Sequence, residues 1–301
     1  MNYAPVALFA YKRPRHLRKV VEGLLKNDEA SQTELFVFSD AAKSHSAESA
    51  VTEVRDYIRQ ISGFSAVYIT ERGENYGLAR SIIEGVSSVC GQYGRVIVVE
   101  DDILTSRYFL RFMNDGLEMY QHDSQVVSVH GYVYPARVPL PETFFLKGAD
   151  CWGWATWQRG WDIFEPDGTV LLQQLKQRNL TQCFDSDGSY PYTRMLEEQI
   201  AGKNDSWAVR WHASAFLRNR LTLYPGRSLV LNIGNDNSGT HSTATTDFSG
   251  ELAGKPVRVA RLPLEESEFA RQEFIHFYRM LRPSVLNRIL RKVASMVGCA
   301  K

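Results

Sequence analysis

Apolar residues recur along the first 130 positions in five short runs that begin at regular intervals. The runs open at Val6, Leu35, Val67, Val96 and Val126, so successive starts lie 29, 32, 29 and 30 residues apart. This interval is the length of one strand, one helix and two short connections. The runs VALFA and VIVV are unbroken rather than alternating, which is typical of strands that are covered on both faces. We therefore expect a strand at each of the five places.

The segments between these runs carry apolar residues three and four positions apart, as on one face of an α-helix. This spacing predicts helices over 14–25, 47–61, 77–90 and 105–121. Pro14 stands in the first turn of the first of these helices, where proline is tolerated. Alternating strands and helices imply an α/β fold with a mostly parallel sheet flanked by helices.

The rhythm changes after about residue 140. Two segments, 190–201 and 208–218, have the pattern of short helices, and residues 222–233 have the pattern of extended structure. The stretch 234–246 is small, polar and contains glycine, which predicts a mobile loop.

The C-terminal segment is basic. From Phe274 to Lys301 the chain has lysine and arginine but no aspartate or glutamate, and apolar residues from Val285 to Met296 lie at helical spacing. A basic amphipathic helix can lie on an anionic membrane surface, and it can equally pack on its own domain. Both interpretations stay open at this point.

Composition places the chain among ordinary globular proteins. Of its 301 residues, 44% are hydrophobic and 23% are charged, which suffices for a large core and excludes a disordered chain or a disulfide-rich miniprotein. The 35 lysines and arginines against 34 acidic residues give a net charge of +1. This balance argues against a nucleic-acid-binding protein, which needs a basic face.

Two absences in the sequence lead us to expect a cytoplasmic protein. The cysteines show no CxxC or CxxH spacing, which predicts free thiols in a reducing compartment; they are Cys90, Cys151, Cys183 and Cys299. No basic segment precedes an apolar stretch at the N-terminus, and no window approaches the ~20 apolar residues of a membrane-spanning helix.

Candidate chemistry is concentrated directly after the predicted strands, where ligands of parallel α/β sheets bind. The strand that opens at Val96 is followed by Glu100, Asp101 and Asp102. Adjacent like charges are costly unless a cation or water relieves them, and carboxylate oxygen suits Mg²⁺ or Mn²⁺. A metal here would bridge to a phosphate-bearing substrate. The alternative is a helix cap by Asp102 or Thr105 with solvated neighbours.

Neither a GxGxxG pattern nor a P-loop is present, which disfavours dinucleotide and Walker-type chemistry. Several segments instead resemble glycosyltransferases of the GT-A fold, and are most similar to the N-acetylglucosaminyltransferase I-like branch and to bacterial glycosyltransferases of polysaccharide synthesis. They are PVALFAYKRPRHLRKVVEGLL (5–25), ELFVFSD (34–40), YGLAR (76–80), VIVVEDDILTSRYFLRFMNDGLEMY (96–120), KNDSWAVRW (203–211) and LTLYPGRSLVLNIGNDNSGTH (221–241).

The resemblance implies a role for each matching polar residue. Asp102 would be the direct metal ligand, with Glu100 and Asp101 holding the ribose and the water shell of the metal. Asp40 would accept the N3–H of uracil, because a carboxylate can only accept and uracil N3 is a donor. Arg13 would lie beside the base or the pyrophosphate. The alternatives are a turn former at Asp40 and a solvated basic turn at Arg13.

Asp205 is the candidate catalytic base, by the same resemblance. In inverting sugar transfer, one carboxylate takes the proton of the acceptor hydroxyl as that oxygen attacks C1. The related segments carry two adjacent acidic residues before a tryptophan, whereas this chain has Asn204-Asp205-Ser206-Trp207, so the match can slip by one position. Other acidic residues that could take this role are Asp150, Asp162 and Asp185.

Two further segments resemble ligand-binding parts of such enzymes. Trp152, Gly153 and Trp154 match a Gly-Trp stretch that lines the sugar site, where tryptophan faces stack on sugars. Packing within the second half of the chain is the alternative. His241, in the predicted loop, would contact phosphate or metal if that loop closes, and Gly234 and Gly239 would be its hinges.

The resulting hypothesis is a metal-dependent hexosyltransferase or N-acetylhexosaminyltransferase that uses a UDP-sugar, with inversion, in bacterial-type surface polysaccharide synthesis. Its acceptor would be a saccharide or a lipid-linked saccharide, and its tail would bind the inner membrane face peripherally. We expect residues 1–135 to bind the nucleotide sugar, residues 136–250 to form the acceptor and catalytic half of the same domain, and residues 251–301 to form the basic helical tail. The alternatives are a nucleotidyltransferase and a catalytically inactive carbohydrate-binding or scaffold protein.

Overall fold

Strands from both halves of the chain form one mixed sheet in the computed structural model, which describes residues 3–236, 248 and 250–281. Eight of the described strands belong to this sheet, and the two short strands β5 and β10 form a separate antiparallel pair. The strands are β1 (Val6–Ala10), β2 (Glu34–Ser39), β3 (Ala66–Glu71), β4 (Arg95–Glu100), β5 (Ile103–Thr105), β6 (Val126–His130), β7 (Thr143–Lys147), β8 (Trp154–Trp157), β9 (Leu221–Pro225) and β10 (Val230–Asn232). The helices are α1 (Pro14–Leu25), α2 (Glu48–Ile58), α3 (Gly77–Tyr93), α4 (Phe109–Met119), α5 (Gln158–Trp161), α6 (Gly168–Gln177), α7 (Thr181–Phe184), α8 (Tyr192–Ile200), α9 (Trp207–Leu217) and α10 (Glu268–Met280).

The strand order in the large sheet is β3-β2-β1-β4-β8-β6-β9-β7. Strands β1, β2, β3 and β4 are parallel to one another, and β6 is parallel to β9. Strand β8 is antiparallel to both of its neighbours, β4 and β6, and β7 is antiparallel to β9 at the edge. The predicted α/β fold with a mostly parallel sheet is confirmed.

The first five predicted strands all form. The apolar runs of β1 and β4 contribute to cores on both faces of the sheet, whereas β3, at the edge, is partly exposed. In β1, Leu8 contributes to a core with α1, α2 and α4, whereas Ala7 and Phe9 contribute to a second core on the other face with α3 and α9. All five residues of β1 are buried. The four predicted helices of the first half form as α1 to α4, within a few residues of the predicted bounds.

The second half of the chain shares the sheet of the first half. Strand β8, from the predicted acceptor half, lies between β4 and β6 of the predicted nucleotide half. The two short helices predicted around 190–201 and 208–218 form as α8 and α9. Helix α9 begins where the Ser206 hydroxyl accepts a hydrogen bond from the backbone N–H of Val209.

The segment that was expected to be a helical tail from residue 251 is partly different. Residues 251–267 contain no helix and are held to the domain by hydrogen bonds, among them one from the Tyr120 hydroxyl to the Ala260 carbonyl. Helix α10 packs through Phe274 and Phe277 against β7 and β9, whereas the amphipathic segment from Val285 to Met296, for which both interpretations stay open, lies beyond it. Residues 282–301 lie outside the described residues.

Two further observations concern membranes and thiols. Within residues 3–236, 248 and 250–281, the structure has no helix with the length and apolarity required to traverse a bilayer. Cys90, Cys151 and Cys183 are free thiols, and Cys299 lies outside the described residues.

Candidate functional site

The acidic residues that follow β4 lie at the carboxyl edge of the sheet, beside the end of β1. Glu100, the last residue of β4, is opposite Phe9 of β1 in the strand register. One residue further on, the backbone N–H of Tyr11 donates a hydrogen bond of 3.0 Å to the Asp101 carboxylate. The parallel pairing of β1 with β4 therefore brings the loop after β1 onto these carboxylates.

Arg13, in that loop, is the main positive charge on this group. Its Nη1 atom lies 2.5 Å from Asp102 Oδ2 and 3.8 Å from Asp101 Oδ1. The guanidinium and both carboxylates are largely buried, with 12% to 16% of each side chain exposed. We call Glu100, Asp101 and Asp102 together the acid cluster.

The acid cluster has more negative charge than its surroundings neutralise. Burial, followed by the charge of Asp102, raises the pKa of Asp101 to about 7. Burial also raises the pKa of Glu100 well above its usual value, again with a contribution from Asp102. For Arg13, burial acts to lower the pKa, but the neighbouring acidic residues outweigh it and the net shift is upward. One guanidinium for three carboxylates leaves a site that favours a further cation.

The chain that follows β10 crosses directly over the acid cluster. The backbone N–H of Ile233 donates to the Asp102 carbonyl at 2.8 Å, and His16 Nε2 lies 3.1 Å from both the Ile233 carbonyl and Asp236 Oδ2. A Cβ atom at Gly234 would overlap Asp102 Oδ2 and lie 2.7 Å from Arg13 Nη1. Glycine is therefore required at position 234 for this close approach. His241 and Gly239 lie outside the described residues.

Asp40, at the end of β2, holds the start of α3. Its carboxylate accepts hydrogen bonds from the backbone N–H groups of Tyr76 and Gly77, from the side-chain amide of Asn75 and from the backbone N–H of Ala41. These four donors occupy the lone pairs of both oxygens. Asp40 therefore satisfies N–H groups at the N-terminus of a helix, and no lone pair is left for a ligand N–H in this arrangement.

Asp205 lies at the same end of α3. A Cβ atom at Gly77 would be 4.0 Å from Asp205 Oδ2. The Asp205 side chain is 64% exposed, and its nearest cation is Arg210 Nη2 at 3.5 Å. The structure thus brings Asp205 beside the residues that Asp40 holds, with an accessible carboxylate. Asp162 is exposed at the end of α5, and Asp185 accepts a hydrogen bond from the backbone N–H of Thr193 at the start of α8.

The Trp-Gly-Trp segment divides into one accessible and one buried residue. Trp152 is partly exposed and packs edge-on against Tyr132, with ring centroids 4.8 Å apart. Gly153 has a φ of +60°, and its carbonyl accepts a hydrogen bond from the Gly131 N–H. Trp154 is fully buried against three other tryptophan rings, so the expected sugar contact by Trp154 is corrected to a packing role.

A divalent metal fits the acid cluster only if the protein and a bound substrate share its coordination. Over the described part of the chain, no group of three or more histidine, cysteine, aspartate or glutamate side chains could hold a metal ion alone. Mg²⁺-type sites commonly use one or two carboxylates and complete their shell with substrate phosphates. The excess of carboxylates over cations at Asp102 suits such a site.

Sequence reasoning did not predict that His130 and Tyr134 lie beside Asp150. His130 at the end of β6 is fully buried, its Nε2 atom lies 3.8 Å from Asp150 Oδ2, and the Tyr134 hydroxyl donates to the same carboxylate at 3.2 Å. Their positions in the sequence give no periodic signal that would have grouped them.

No family model and no curated protein matches the sequence. Among solved structures, the chain is similar to the mannosyltransferase PcManGT from Pyrobaculum calidifontis in complex with GDP-Man and Mn²⁺, at 18% identity and a TM-score of 0.32, over 44% of this chain and 36% of that one. It is also similar to glucosyl-3-phosphoglycerate synthase from Mycobacterium tuberculosis in complex with Mn²⁺, UDP and glucosyl-3-phosphoglycerate (11% identity, TM-score 0.35, 60% and 67% covered).

A third similar structure is a UDP-glucose pyrophosphorylase complexed with UDP-glucose (13% identity, TM-score 0.34, 55% and 82% covered). The chain therefore spans about a third of the length of the mannosyltransferase that it matches. With TM-scores of 0.32 to 0.35 the backbones correspond only in part. The roles of individual residues rest on the geometry of this chain.

Proposed function

We propose that this protein is a divalent-metal-dependent glycosyltransferase that takes its sugar from a UDP-sugar. The observation that carries the proposal is the acid cluster at the carboxyl edge of the sheet, where one guanidinium pairs with Asp101 and Asp102 and the carboxylate of Glu100 lies nearby. This edge is where parallel α/β sheets bind their ligands. A donor with a diphosphate and a bound metal brings both the cation that the cluster lacks and anionic oxygens for Arg13.

Asp102 is the proposed protein ligand of the metal, and Mn²⁺ or Mg²⁺ suits its hard oxygen. The metal, when bound, neutralises the charge that develops on the departing diphosphate. Arg13 then exchanges its contact with Asp102 for contacts with phosphate oxygens, since a guanidinium pairs equally with both anions. Glu100 and Asp101 are proposed to support the ribose and the water shell of the metal.

The uracil is proposed to lie beside the start of α3. Asp40 acts there chiefly as a positioning residue, because three of its hydrogen bonds fix Asn75, Tyr76 and Gly77. A direct bond from uracil N3–H to Asp40, as the sequence resemblance implies, requires one of these internal donors to leave. The Tyr76 ring is held between the guanidinium groups of Arg72 and Arg80, at 4.0 and 3.6 Å from its centroid.

Asp205 is the proposed catalytic base. Its exposed carboxylate takes the proton of the acceptor hydroxyl while that oxygen forms a bond to C1 of the sugar. The bond from C1 to the diphosphate oxygen breaks in the same displacement, and UDP leaves with the electron pair of that bond. A single displacement of this kind inverts the configuration at C1. General-base catalysis of this kind contributes about 10²–10⁴-fold to the rate.

The acceptor is proposed to be a saccharide or a lipid-linked saccharide of surface polysaccharide synthesis. Trp152, which is partly exposed next to the carboxyl edge, offers a ring face to the sugar. The transferred group is a hexose or an N-acetylhexosamine. Peripheral binding of the basic residues beyond position 281 to an anionic membrane belongs to the same proposal, and so does a cytoplasmic location.

Calorimetric titration with UDP, CDP and GDP, each with and without Mn²⁺, tests the proposal directly. We expect UDP to bind only with Mn²⁺, and Asp102→Asn to abolish that binding, while Asp56→Asn leaves it unchanged. Asp56 is a suitable control because it is an exposed carboxylate on α2, paired with Arg59.

Absence of nucleotide binding by the folded wild-type protein would overturn the proposal. Pyrophosphate release from a nucleoside triphosphate and a sugar phosphate would replace it with nucleotidyl transfer, and binding without any transfer would identify an inactive carbohydrate-binding protein.

A further inference from the structure

A small cavity separate from the acid cluster lies between β7, β9 and the helices α7 to α10. Its volume is about 60 Å³, and the rings of Tyr192, Tyr224 and Tyr278 form much of its wall. Asp150 also lines it. A buried water needs about 10–15 Å³ of such space, so the cavity has room for about four to six heavy atoms, which suffices for the head group of an amine but not for a larger molecule.

Asp150 has no cationic partner within the described residues. Its Oδ1 atom accepts a hydrogen bond from the Cys151 N–H at 2.8 Å, and its Oδ2 atom accepts one from the Tyr134 hydroxyl at 3.2 Å. In the part of the chain that the structure describes, the basic side chain within 4 Å of its carboxylate is His130, at 3.8 Å. The Asp150 side chain is 22% exposed, so its charge is only partly hydrated and a cationic ligand would stabilise it.

His130 does not supply the missing charge. It is fully buried and neither ring nitrogen has a hydrogen-bond partner, and burial lowers its pKa to about 4 despite the opposing effect of Asp150. Two cations line the cavity but are held by other acids: Lys147 lies 3.8 Å from Glu266, and Arg271 lies 2.6 Å from Asp187. The Asp150 carboxylate, which lines the cavity, therefore lacks a cationic partner that a ligand can provide.

The aromatic walls of the cavity favour a positively charged ligand over an anion or a neutral apolar group. Aromatic faces carry negative quadrupole charge and attract ammonium groups, as in cages that bind quaternary ammonium. Burial raises the pKa of the tyrosines at positions 192, 224 and 278, so their hydroxyls stay neutral and add no charge to the cavity. An anion would meet Asp150, and a neutral apolar group would leave that carboxylate unpaired.

We propose that this cavity is a binding site for a small organic cation, a protonated amine or a quaternary ammonium group, whose charge pairs with Asp150 and whose carbon atoms pack on Tyr192, Tyr224 and Tyr278. We call it the ammonium site. One source of such an amine is the acceptor of the transfer reaction, and this source of the ligand rests on the proposed function.

The test compares charged and neutral ligands of the same shape. Choline and ethanolamine are titrated calorimetrically into the wild-type protein without nucleotide or metal, against their uncharged counterparts 3,3-dimethylbutanol and ethylene glycol. We expect binding of at least one amine and none of its neutral counterpart. Equal binding of charged and neutral members, or no binding of either amine at millimolar concentrations, would overturn the ammonium site. This comparison needs no substitution and does not depend on transferase activity.

Variants locate the site. Asp150→Asn keeps the shape and acceptor oxygen of the side chain, and we expect it to weaken amine binding at least about tenfold, which is the loss of one modest ion pair. Asp56→Asn, on an exposed carboxylate outside the cavity, is the control and should bind as wild type does. Unchanged affinity in Asp150→Asn would contradict the assignment.

The source of the ligand is decided by acceptor assays. Glucosamine and N-acetylglucosamine are compared as acceptors and as competitors of choline. If the amine belongs to the acceptor, glucosamine competes with choline and N-acetylglucosamine does not. If UDP fails to bind but choline binds and requires Asp150, the proposed function is wrong and the ammonium site stands. If UDP binds and neither amine does, the reverse holds.

Discussion

Removing one carboxylate from the acid cluster should stabilise the metal-free protein at neutral pH. The change is Asp101→Asn, which removes the charge and retains an oxygen for the Tyr11 N–H bond. In the folded protein the pKa of Asp101 is raised from 3.8 to about 7, with burial as the main cause and Asp102 as the next. In the unfolded chain the carboxyl group titrates near its ordinary value.

The sign follows from proton binding. Between about pH 4 and pH 7 the folded protein keeps the Asp101 proton and the unfolded chain has lost it, so folding binds protons and stability falls as the pH rises. One pKa unit corresponds to 1.36 kcal/mol, so a shift of about three units costs about 4 kcal/mol above pH 7, and about 2–3 kcal/mol of this appears between pH 5 and pH 8. Asp101 is only 9% exposed, so solvent screening reduces this figure little.

Urea unfolding in EDTA at pH 5 and pH 8 measures the effect. We expect the difference in unfolding free energy between Asp101→Asn and wild type to increase by about 2–3 kcal/mol from pH 5 to pH 8. Asp56→Asn, which changes an exposed carboxylate, should follow the wild-type profile. Parallel profiles for Asp101→Asn and wild type would refute the reasoning, because they would show that Asp101 is not held in an under-neutralised cluster.

The remaining predictions concern Arg13, Asp40 and Asp205. Arg13→Gln should bind Mn²⁺ more tightly than wild type when no nucleotide is present, because Arg13 occupies Asp102; calorimetry that shows equal or weaker Mn²⁺ binding would contradict this competition. Asp40→Ala should lower the unfolding free energy by at least about 2 kcal/mol, since it leaves N–H groups at the start of α3 without acceptors, and urea unfolding with Asp40→Asn as the milder variant tests it. Asp205→Asn should reduce turnover by about 10²-fold or more with UDP affinity unchanged; full activity would move the base elsewhere.

The first half of the fold could be predicted because its information is local. Each strand from β1 to β4 is a continuous apolar run, each helix has its own apolar face, and parallel pairing then places the ends of these strands at one edge. The meeting of Arg13 with the acid cluster follows from that rule alone. The sequence also located α8 and α9 from their periodicity.

The features that could not be predicted depend on long-range packing. Trp152 and Trp154 have the same side chain and lie two positions apart, yet Trp154 is fully buried and Trp152 is not, because strand β8 turns one of them into the core. The saturation of Asp40 requires the position of the α3 N-terminus. The ammonium site joins Asp150 to tyrosines from α8, β9 and α10, and no spacing rule connects these segments.

The insertion of β8 between β4 and β6 has a consequence for how the chain is made. When residues up to the end of β6 have been synthesised, β4 has β1 on one side and an open row of backbone N–H and C=O groups on the other. The strand that closes this gap, β8, is synthesised only after β7, so the nascent chain carries an unpaired inner edge for that interval. Such edges recruit strands from other chains. A fragment ending near residue 135 should therefore aggregate rather than bind nucleotide, and the ribosome-bound protein should depend on prompt elongation or on a chaperone at this stage.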